Sequence, residues 1–297
     1  MGWRVVLIEN PARLSLMDNK LIVEQEEKIP VPLEDIDSLI IDGGGVVMTK
    51  NIITALSENG VNVLMCDDKH LPCSMILPYS QASRGVKLAR AQLEMPEATR
   101  KQLWRKNIMQ KITNQADVLE KFGYEHEDLR ELAKSVRSGD AGNNESAAAR
   151  LYFDRLLGGA TRRRPMWYNS ALNYGYAIVR SSIARNVASR GLISMIGINH
   201  HSELNQYNLV DDLIEAFRPI VDDYVMSVVA IRHIGTEEDD GLSSEDRRLI
   251  IDFLNKSDII CNRKCDVKFS VNRVVESFAR AVLDDDVGAL ELPRILK

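Results

Sequence analysis

Long apolar runs are missing from this sequence of 297 residues. No stretch of about 18 apolar residues occurs, so no membrane-spanning helix is predicted. The first residues contain one basic side chain, Arg4, and a short apolar run that ends at Glu9. This pattern is typical of a β-strand and not of a signal peptide. We therefore expect a cytoplasmic protein.

Cysteine is also scarce, and no C-x-x-C pair is present among Cys66, Cys73, Cys261 and Cys265. A reducing cytosol disfavours disulfides between them. Cys66, His70 and Cys73 lie close in sequence, which leaves a structural zinc site open as an alternative. Buried or incidental thiols are the favoured interpretation.

The formal net charge is −5, but its distribution along the chain is uneven. Residues 1–80 carry 6 basic and 12 acidic side chains, residues 81–190 carry 20 and 11, and residues 191–297 carry 12 and 20. A basic middle between acidic flanks is typical of a polyanion-binding groove beside an acidic metal site. The alternative is that lysine and arginine simply coat the helices. We favour a nucleic-acid surface, because basic residues share a helix face or form a run: Arg84, Lys87, Arg90, Arg162, Arg163 and Arg164.

The hydrophobic pattern changes near residue 80 and predicts an α+β fold. A small β-rich N-terminal domain over 1–80 is followed by a larger all-α domain over 81–297. Strands are expected at 4–8, 36–41, 61–66 and 73–77, with a hairpin over 14–24 and a helix over 51–59. Gly43–Gly45 lacks the Gly-Lys-Ser/Thr ending of a phosphate loop and is predicted to be a turn. Later helices are predicted at 82–94, 98–122, 126–137, 144–157, 167–189, 208–231, 244–255 and 267–284.

The segment from Gly197 to Pro219 is the most informative for function. His200 and His201 close an apolar stretch, and a polar loop leads to Asp211, Asp212 and Glu215 in an otherwise apolar helix pattern. Carboxylates at spacings of three and four share a helix face, and on a half-buried face they need a compensating cation. A divalent metal with a histidine ligand would compensate them. The alternative is a helix start with solvated acidic residues and a hydrogen-bonded core histidine.

Two further segments carry unusual polar residues. In Gly142–Phe153, Asn143 or Asn144 is expected to cap a helix, which places Glu145 in its first turn. A carboxylate there could alternatively serve only the free backbone N–H groups of the helix start. The later segment Arg164–Tyr176 contains Asn169 and Asn173 four residues apart, and tyrosines at 174 and 176 that suit either a core or stacking against bases.

These segments, in this order, resemble the CRISPR-associated spacer-acquisition integrase family. They read E-x-A-A-A-R-x-Y-F, then R-x-P-x-x-x-N-x-x-L-N-Y-G-Y, then G-I-x-H with D-D-L-I-E-x-F-R-P. The resemblance covers nearly the whole chain, and the N-Q-Y-N-L loop is similar to the type II branch. By resemblance, Glu145, His200 and Glu215 match the metal-binding and catalytic residues, and Asp212 matches an acidic position that supports the site. The resemblance assigns no role to His201.

The resemblance implies a prokaryotic DNA endonuclease and integrase that depends on Mg²⁺ or Mn²⁺. The 3′-OH of a short DNA fragment attacks a phosphodiester at a CRISPR repeat boundary, so the protein itself needs no nucleophile. That implication agrees with a sequence without a recognisable catalytic triad or nucleophile elbow.

The same resemblance implies homodimers, two of which flank a dimer of a small adaptation partner protein in a heterohexamer. Residues 1–80 would then be a dimerisation and partner domain, because their net negative charge suits phosphate contacts poorly. The basic stretches from Arg84 to Lys111 and from Arg162 to Arg164 would follow the backbone of double-stranded DNA. Two other functions stay open at this point: a stand-alone repair nuclease with the same site, and a non-enzymatic nucleic-acid scaffold.

Overall fold

The structure, a computed structural model, describes residues 4–68, 70, 72–76, 85–158, 167–233, 242–256, 259–261 and 263–296. The chain divides into two compact units, Met1–Gln81 and Ala82–Lys297. The first is rich in strands and the second in helices. The α+β fold expected from the hydrophobic pattern, with a β-rich N-terminal part and a helical C-terminal part, is therefore confirmed.

In the described part of the first unit, strands form two four-stranded sheets. The elements are β1 (Arg4–Ile8), β2 (Arg13–Met17), β3 (Lys20–Glu24), β4 (Lys28–Pro32), β5 (Ile36–Ile41), β6 (Val47–Met48), α1 (Lys50–Glu58), β7 (Asn62–Cys66) and β8 (Pro72–Ile76). One sheet has the order β1-β5-β7-β8, with β8 antiparallel to β7 and the other pairs parallel. The other has the order β4-β3-β2-β6. Leu14, Leu39 and Ile52 belong to one buried cluster that joins both sheets and α1.

The turns of this unit follow from local chemistry. Asp18 and Asn19 adopt φ values of 48° and 57°, the left-handed pair that a two-residue hairpin requires, and they join β2 to β3 as predicted. Gly43 lies in a turn where a Cβ atom would approach the Glu9 carbonyl oxygen to 2.3 Å. The strand β4 was not predicted from the sequence, because its two prolines weaken the strand signal. Proline is tolerated at a sheet edge, which is where β4 lies.

Helices dominate the described part of the second unit. They are α2 (Gly85–Leu93), α3 (Glu97–Lys121), α4 (Glu127–Ser135), α5 (Asn144–Leu156), α6 (Trp167–Arg190), α7 (Asn208–Leu213), α8 (Arg218–Tyr224), α9 (Ser244–Asp252) and α10 (Val267–Asp284). The long helix α3 packs against α4, α5 and α8, so it lies beside several of the segments singled out above. Across the described ranges, no helix combines the length and apolarity needed to span a membrane.

Two features of this unit differ from the predicted helices. The helix expected over 208–231 is interrupted: α7 is followed by a 3₁₀ turn at Glu215–Phe217, and α8 then begins at Arg218 with Pro219 in its first turn. The second feature is a small antiparallel sheet, β10-β9-β11, made of β9 (Ile259–Cys261), β10 (Arg263–Cys265) and β11 (Arg294–Ile295). Strands of two or three residues are too short to give a periodic signal.

The four cysteines are free thiols. Burial raises the pKa of Cys66 to about 12 and that of Cys261 to about 11, so both thiols stay protonated and unreactive near neutral pH. Within the ranges that the structure describes, no group of three or more His, Cys, Asp or Glu side chains is arranged to hold a metal ion. The zinc alternative therefore has no support from the geometry.

Candidate metal and catalytic centre

Glu145 and Glu215, which lie 70 positions apart in sequence, meet at one buried lysine. The Lys111 ammonium on α3 lies 2.6 Å from Oε1 of Glu145 and 2.5 Å from Oε2 of Glu215. Lys111 and Glu215 are only 8% and 4% exposed, whereas the Glu145 side chain is 28% exposed. Two carboxylates thus converge beside one cation, with Glu145 on the side that faces solvent.

Glu145 is positioned by the start of α5. The carboxylate of Asp140 accepts hydrogen bonds from the backbone N–H groups of Asn144, at 2.9 Å, and Glu145, at 3.0 Å. Asn143 occupies the cap position with φ of 53°, but its side chain makes no capping bond. Asn143 is thus the N-cap residue and Glu145 lies in the first turn, as expected, but the capping hydrogen bonds are accepted by the Asp140 carboxylate and not by an asparagine side chain.

Glu215 is held from two sides. Its Oε1 accepts a hydrogen bond from Nε of Arg218 at 2.8 Å, while Oε2 faces Lys111. Burial alone would raise the pKa of Glu215, but the charges of Lys111 and Arg218 outweigh it and lower the pKa to about 2. The carboxylate is therefore ionised at every physiological pH, as a ligand for a hard cation must be.

Arg218 packs against Tyr176, which belongs to a buried group of hydrogen-bonded side chains. Its guanidinium lies 4.8 Å from the ring centroid of Tyr176. The hydroxyl groups of Tyr176 and Tyr152 both donate to the carboxylate of Asp222, the latter at 2.9 Å. Of the two roles left open for Tyr176, core packing and stacking against bases, the structure therefore shows the first. Tyr176 also positions Arg218, the residue that orients Glu215.

His200 is oriented by Asp212. Its Nδ1 lies 2.7 Å from Oδ1 of Asp212, and the ring meets Trp104 edge-on at 5.8 Å between centroids. The hydrogen bond to Asp212 raises the pKa of His200, and the charge of Glu215 adds to the effect while partial burial opposes it. Because Nδ1 is engaged with a carboxylate, Nε2 is the nitrogen left to bind a metal, the usual arrangement of metal-binding histidines.

Asp212 also organises the backbone before His200. Its buried carboxylate accepts hydrogen bonds from the N–H groups of Ile198, Asn199 and His200, at 2.5, 3.1 and 3.1 Å. A Cβ atom at Gly197 would come within 2.6 Å of Oδ2 of Asp212, so only glycine permits this approach. One carboxylate therefore places both the loop and the imidazole.

The donor chemistry fits a divalent cation, with one qualification from the geometry. Two ionised carboxylates and an imidazole Nε2 are ligands that Mg²⁺ and Mn²⁺ accept. Glu145 and Glu215 are brought together, and His200 lies within range of the charge of Glu215. In the described residues the three do not form a ready ligand cluster, because the Lys111 ammonium lies between the two carboxylates.

The other acidic and basic candidates lie elsewhere. Asp211 pairs with Arg180 at 2.5 Å and does not join Glu215. His201 is exposed, and its Nδ1 lies 2.8 Å from the Asn199 carbonyl oxygen. Both are outside the group formed by the other site residues.

Of the expected DNA-binding residues, Lys87 and Arg90 lie exposed on α2. Arg84, Arg162, Arg163 and Arg164 fall outside the described residues. Lys111, the end of the stretch expected to follow DNA, is not on an exposed surface: it is buried and its ammonium contacts the two glutamates.

The sequence pattern missed the parts of the site that α3 contributes. Besides Lys111, the side chain of Asn107 donates to the Asp212 carbonyl oxygen at 2.6 Å, and Asn114 donates to the Ala216 carbonyl at 2.8 Å. These three polar residues are buried at spacings of four and three, on one face of a helix that also buries Ile108 and Ile112. A polar line along an apolar face was the available signal.

The profile of the family described as "CRISPR associated protein Cas1" matches residues 5–252. This chain belongs to the Cas1 family. The "CRISPR-associated endonuclease Cas1" of Neisseria meningitidis serogroup C (strain 8013) is 38% identical over 300 residues, which span 100% of this chain and 97% of the relative. The family expected from the three motifs is confirmed, and so is the expectation of a CRISPR-associated endonuclease of spacer acquisition.

Solved structures share the Cas1 fold at low sequence identity. A "Casposase bound to integration product" superposes with a TM-score of 0.79 and 20% identity, covering 95% of this chain and 91% of that one. A chain of a "Cas6-RT-Cas1--Cas2 complex" superposes with a TM-score of 0.77 and 19% identity, covering 100% of this chain and 36% of that one. At these identities the likeness concerns the fold.

Proposed function

We propose that this Cas1-family chain is a metal-dependent DNA integrase that inserts short DNA fragments into a CRISPR repeat array. The observation that carries the proposal is the convergence of Glu145 and Glu215 from separate segments, with the charge of Glu215 acting on a histidine that a buried aspartate orients. Burying a carboxylate costs free energy, so buried carboxylates are concentrated at functional sites. The relative described above is an endonuclease, which agrees with a catalytic role for these two. The nucleophile would be a DNA 3′-OH for integration, or water for cleavage.

Each residue has a defined part in this proposal. Glu145, His200 and Glu215 would hold Mg²⁺ or Mn²⁺, which when bound polarises the scissile phosphodiester and stabilises the leaving 3′ oxygen. Asp212 keeps Nδ1 of His200 engaged, which would leave Nε2 as the nitrogen that binds the metal. Arg218 holds the Glu215 carboxylate at Oε1 and leaves Oε2 for the cation side.

The direct test is a strand-transfer assay. The full chain is incubated with Mg²⁺ or Mn²⁺, a short duplex and a repeat-bearing plasmid, with and without the small adaptation partner. We expect covalent joining of the duplex to the repeat boundary. Metal-dependent cleavage without any joining, in the presence of the partner, would favour a stand-alone repair nuclease. Binding without cleavage at any metal concentration would favour a scaffold.

Double-stranded DNA and a second adaptation protein are the proposed partners. A structural neighbour is described as bound to an integration product, and another is a complex that contains Cas1 and Cas2. For this chain, we propose a heterohexamer of two homodimers around a dimer of the small partner. Two strand-transfer events at opposite ends of one repeat require two sites related by symmetry.

We predict that Lys87 and Arg90 contact DNA phosphates. Replacing both with Gln should weaken DNA binding and reduce the slope of log affinity against log salt by up to about two units, since each lost phosphate contact removes roughly one. Fluorescence anisotropy at several salt concentrations measures the slope. Arg248→Gln, at an exposed position in the acidic third, is the control; Arg247 is unsuitable because it is buried. An unchanged slope in the double variant would remove α2 from the interface.

We also predict a homodimer formed through residues 1–80. Exposed apolar side chains of the β4-β3-β2-β6 sheet support this surface: Met17, Ile29 and Val47 are 58%, 53% and 54% exposed. Light scattering of the full chain should give twice the 33.5 kDa monomer mass. Ile29→Asp with Val47→Asp should give monomers, whereas Leu204→Asp, at an exposed position of the other unit, should not. A wild-type monomer at micromolar concentration would contradict the prediction.

A further inference from the structure

Lys111 is the one cation that contacts both proposed carboxylate ligands in the described part of the chain. Its ammonium makes hydrogen bonds to Glu145 and Glu215, and the residue is 8% exposed. Two carboxylate oxygens lie within 2.6 Å of the ammonium and favour its charged form. A permanent positive charge therefore lies where the two ligand residues converge.

The charges of this cluster balance without any metal. Lys111 and Arg218 offset Glu145 and Glu215, so the charges of these four side chains sum to zero and the two carboxylates are compensated. A divalent ion that joins the same carboxylates would meet the ammonium at short range and leave the cluster with excess positive charge. A DNA phosphate supplies the missing negative charge and an acceptor for the displaced ammonium.

We propose that Lys111 is a built-in counter-cation that competes with the metal for Glu145 and Glu215 and makes tight metal binding depend on DNA. This inference rests on the proposed metal site. Lys111 acts here as a positioning residue. Its ammonium holds both carboxylates in the metal-free protein and is displaced by the metal when a phosphate is present. Metal loading of the DNA-free protein would be reduced.

The experiment measures Mn²⁺ affinity of the full-length protein, by electron paramagnetic resonance of free Mn²⁺, with and without a short duplex. Lys111→Met should bind Mn²⁺ at least about tenfold more tightly than wild type without DNA, because a like charge next to the ion has been removed. The duplex should tighten Mn²⁺ binding of wild type by a larger factor than that of Lys111→Met. Lys121→Met is the control, since Lys121 lies on the same helix in an exposed ion pair with Asp223.

A second readout does not depend on metal affinity. In EDTA, Lys111→Met should melt several degrees below wild type, because two buried carboxylates have lost their cation, and saturating Mn²⁺ should close most of that gap. If Lys111→Met is too unstable to purify, Lys111→Gln keeps an amide donor and should show the same direction of change in both measurements.

The outcomes separate this inference from the proposed function. Equal or weaker Mn²⁺ binding by folded Lys111→Met, with wild type binding normally, overturns the role of Lys111 and leaves the metal site intact. If neither protein binds Mn²⁺ with or without DNA, the metal site itself is wrong and the inference is overturned with it. An equal melting temperature of wild type and Lys111→Met in EDTA also contradicts it.

Discussion

Replacing Glu145, His200 or Glu215 is expected to abolish DNA cleavage and strand transfer while leaving DNA binding largely intact. Metal-assisted stabilisation of charge in phosphodiester chemistry is worth several kcal/mol, so activity should fall by roughly a thousandfold or more. Contacts to the DNA backbone dominate the affinity for DNA, so binding should survive the loss of any one of these three side chains. Strand transfer, nicking and fluorescence anisotropy of each full-length variant measure the two effects separately.

The choice of substitution matters at the buried carboxylate. Glu215→Ala would leave Lys111 and Arg218 without the carboxylate that both contact, so a loss of activity could reflect unfolding. Glu215→Gln keeps the shape and the hydrogen-bonding atoms but weakens the ligand. Circular dichroism of Glu215→Gln should stay close to wild type, and the variant should melt below wild type but above Glu215→Ala, because Lys111 and Arg218 lose a charged partner but keep hydrogen-bonding atoms.

His201→Ala is the matched control for His200→Ala, because it removes a neighbouring imidazole that lies exposed outside the group. Its activity should remain within a few-fold of wild type. Equal damage by the two alanine variants would show that the metal-binding histidine is misassigned. Full activity of any one of the three site variants would remove that residue from the proposed ligand set.

Asp212→Ala is expected to lose both stability and activity. Its carboxylate accepts three backbone N–H groups and contacts the His200 ring, all in a fully buried position. Removing a buried acceptor of several hydrogen bonds should lower the free energy of unfolding by about 3–5 kcal/mol. Chemical denaturation, followed by circular dichroism, measures the loss.

Asp212→Asn distinguishes the structural role from the metal-related one. The amide keeps some of the backbone hydrogen bonds, so most of the fold should survive, but His200 loses a charged partner at Nδ1. Metal affinity should fall about 10–100-fold, as for other partners of metal-binding histidines. The neighbouring Asp211→Asn, which weakens the ion pair with Arg180 and the hydrogen bond from Asn205, should lose about 1–2 kcal/mol and keep its metal affinity. Wild-type metal affinity in Asp212→Asn would contradict the orienting role.

Much of the fold was predictable because its elements carry local signals. Asp18 and Asn19 tolerate the left-handed backbone of a two-residue turn, and the strands around them alternate as a half-buried sheet requires. The bounds of α5 and α10 match their predicted ranges within one residue, because helix periodicity and end signals are both short-range properties. The strands β4, β9, β10 and β11 could not be predicted because they lack such local signals.

The same distinction between local sequence signals and long-range packing applies to the site. Glu145, His200, Asp212 and Glu215 could be proposed from the sequence because the motifs that carry the family resemblance are contiguous. Nothing in those motifs indicated that Lys111, from a helix outside all three, would lie between Glu145 and Glu215. Nor did they indicate that the Asp140 carboxylate, and not an asparagine side chain, would accept the capping hydrogen bonds of α5. Which cation meets which carboxylate depends on how α3 packs against α5 and the Glu215 turn, and that packing is set by burial of apolar faces far apart in sequence.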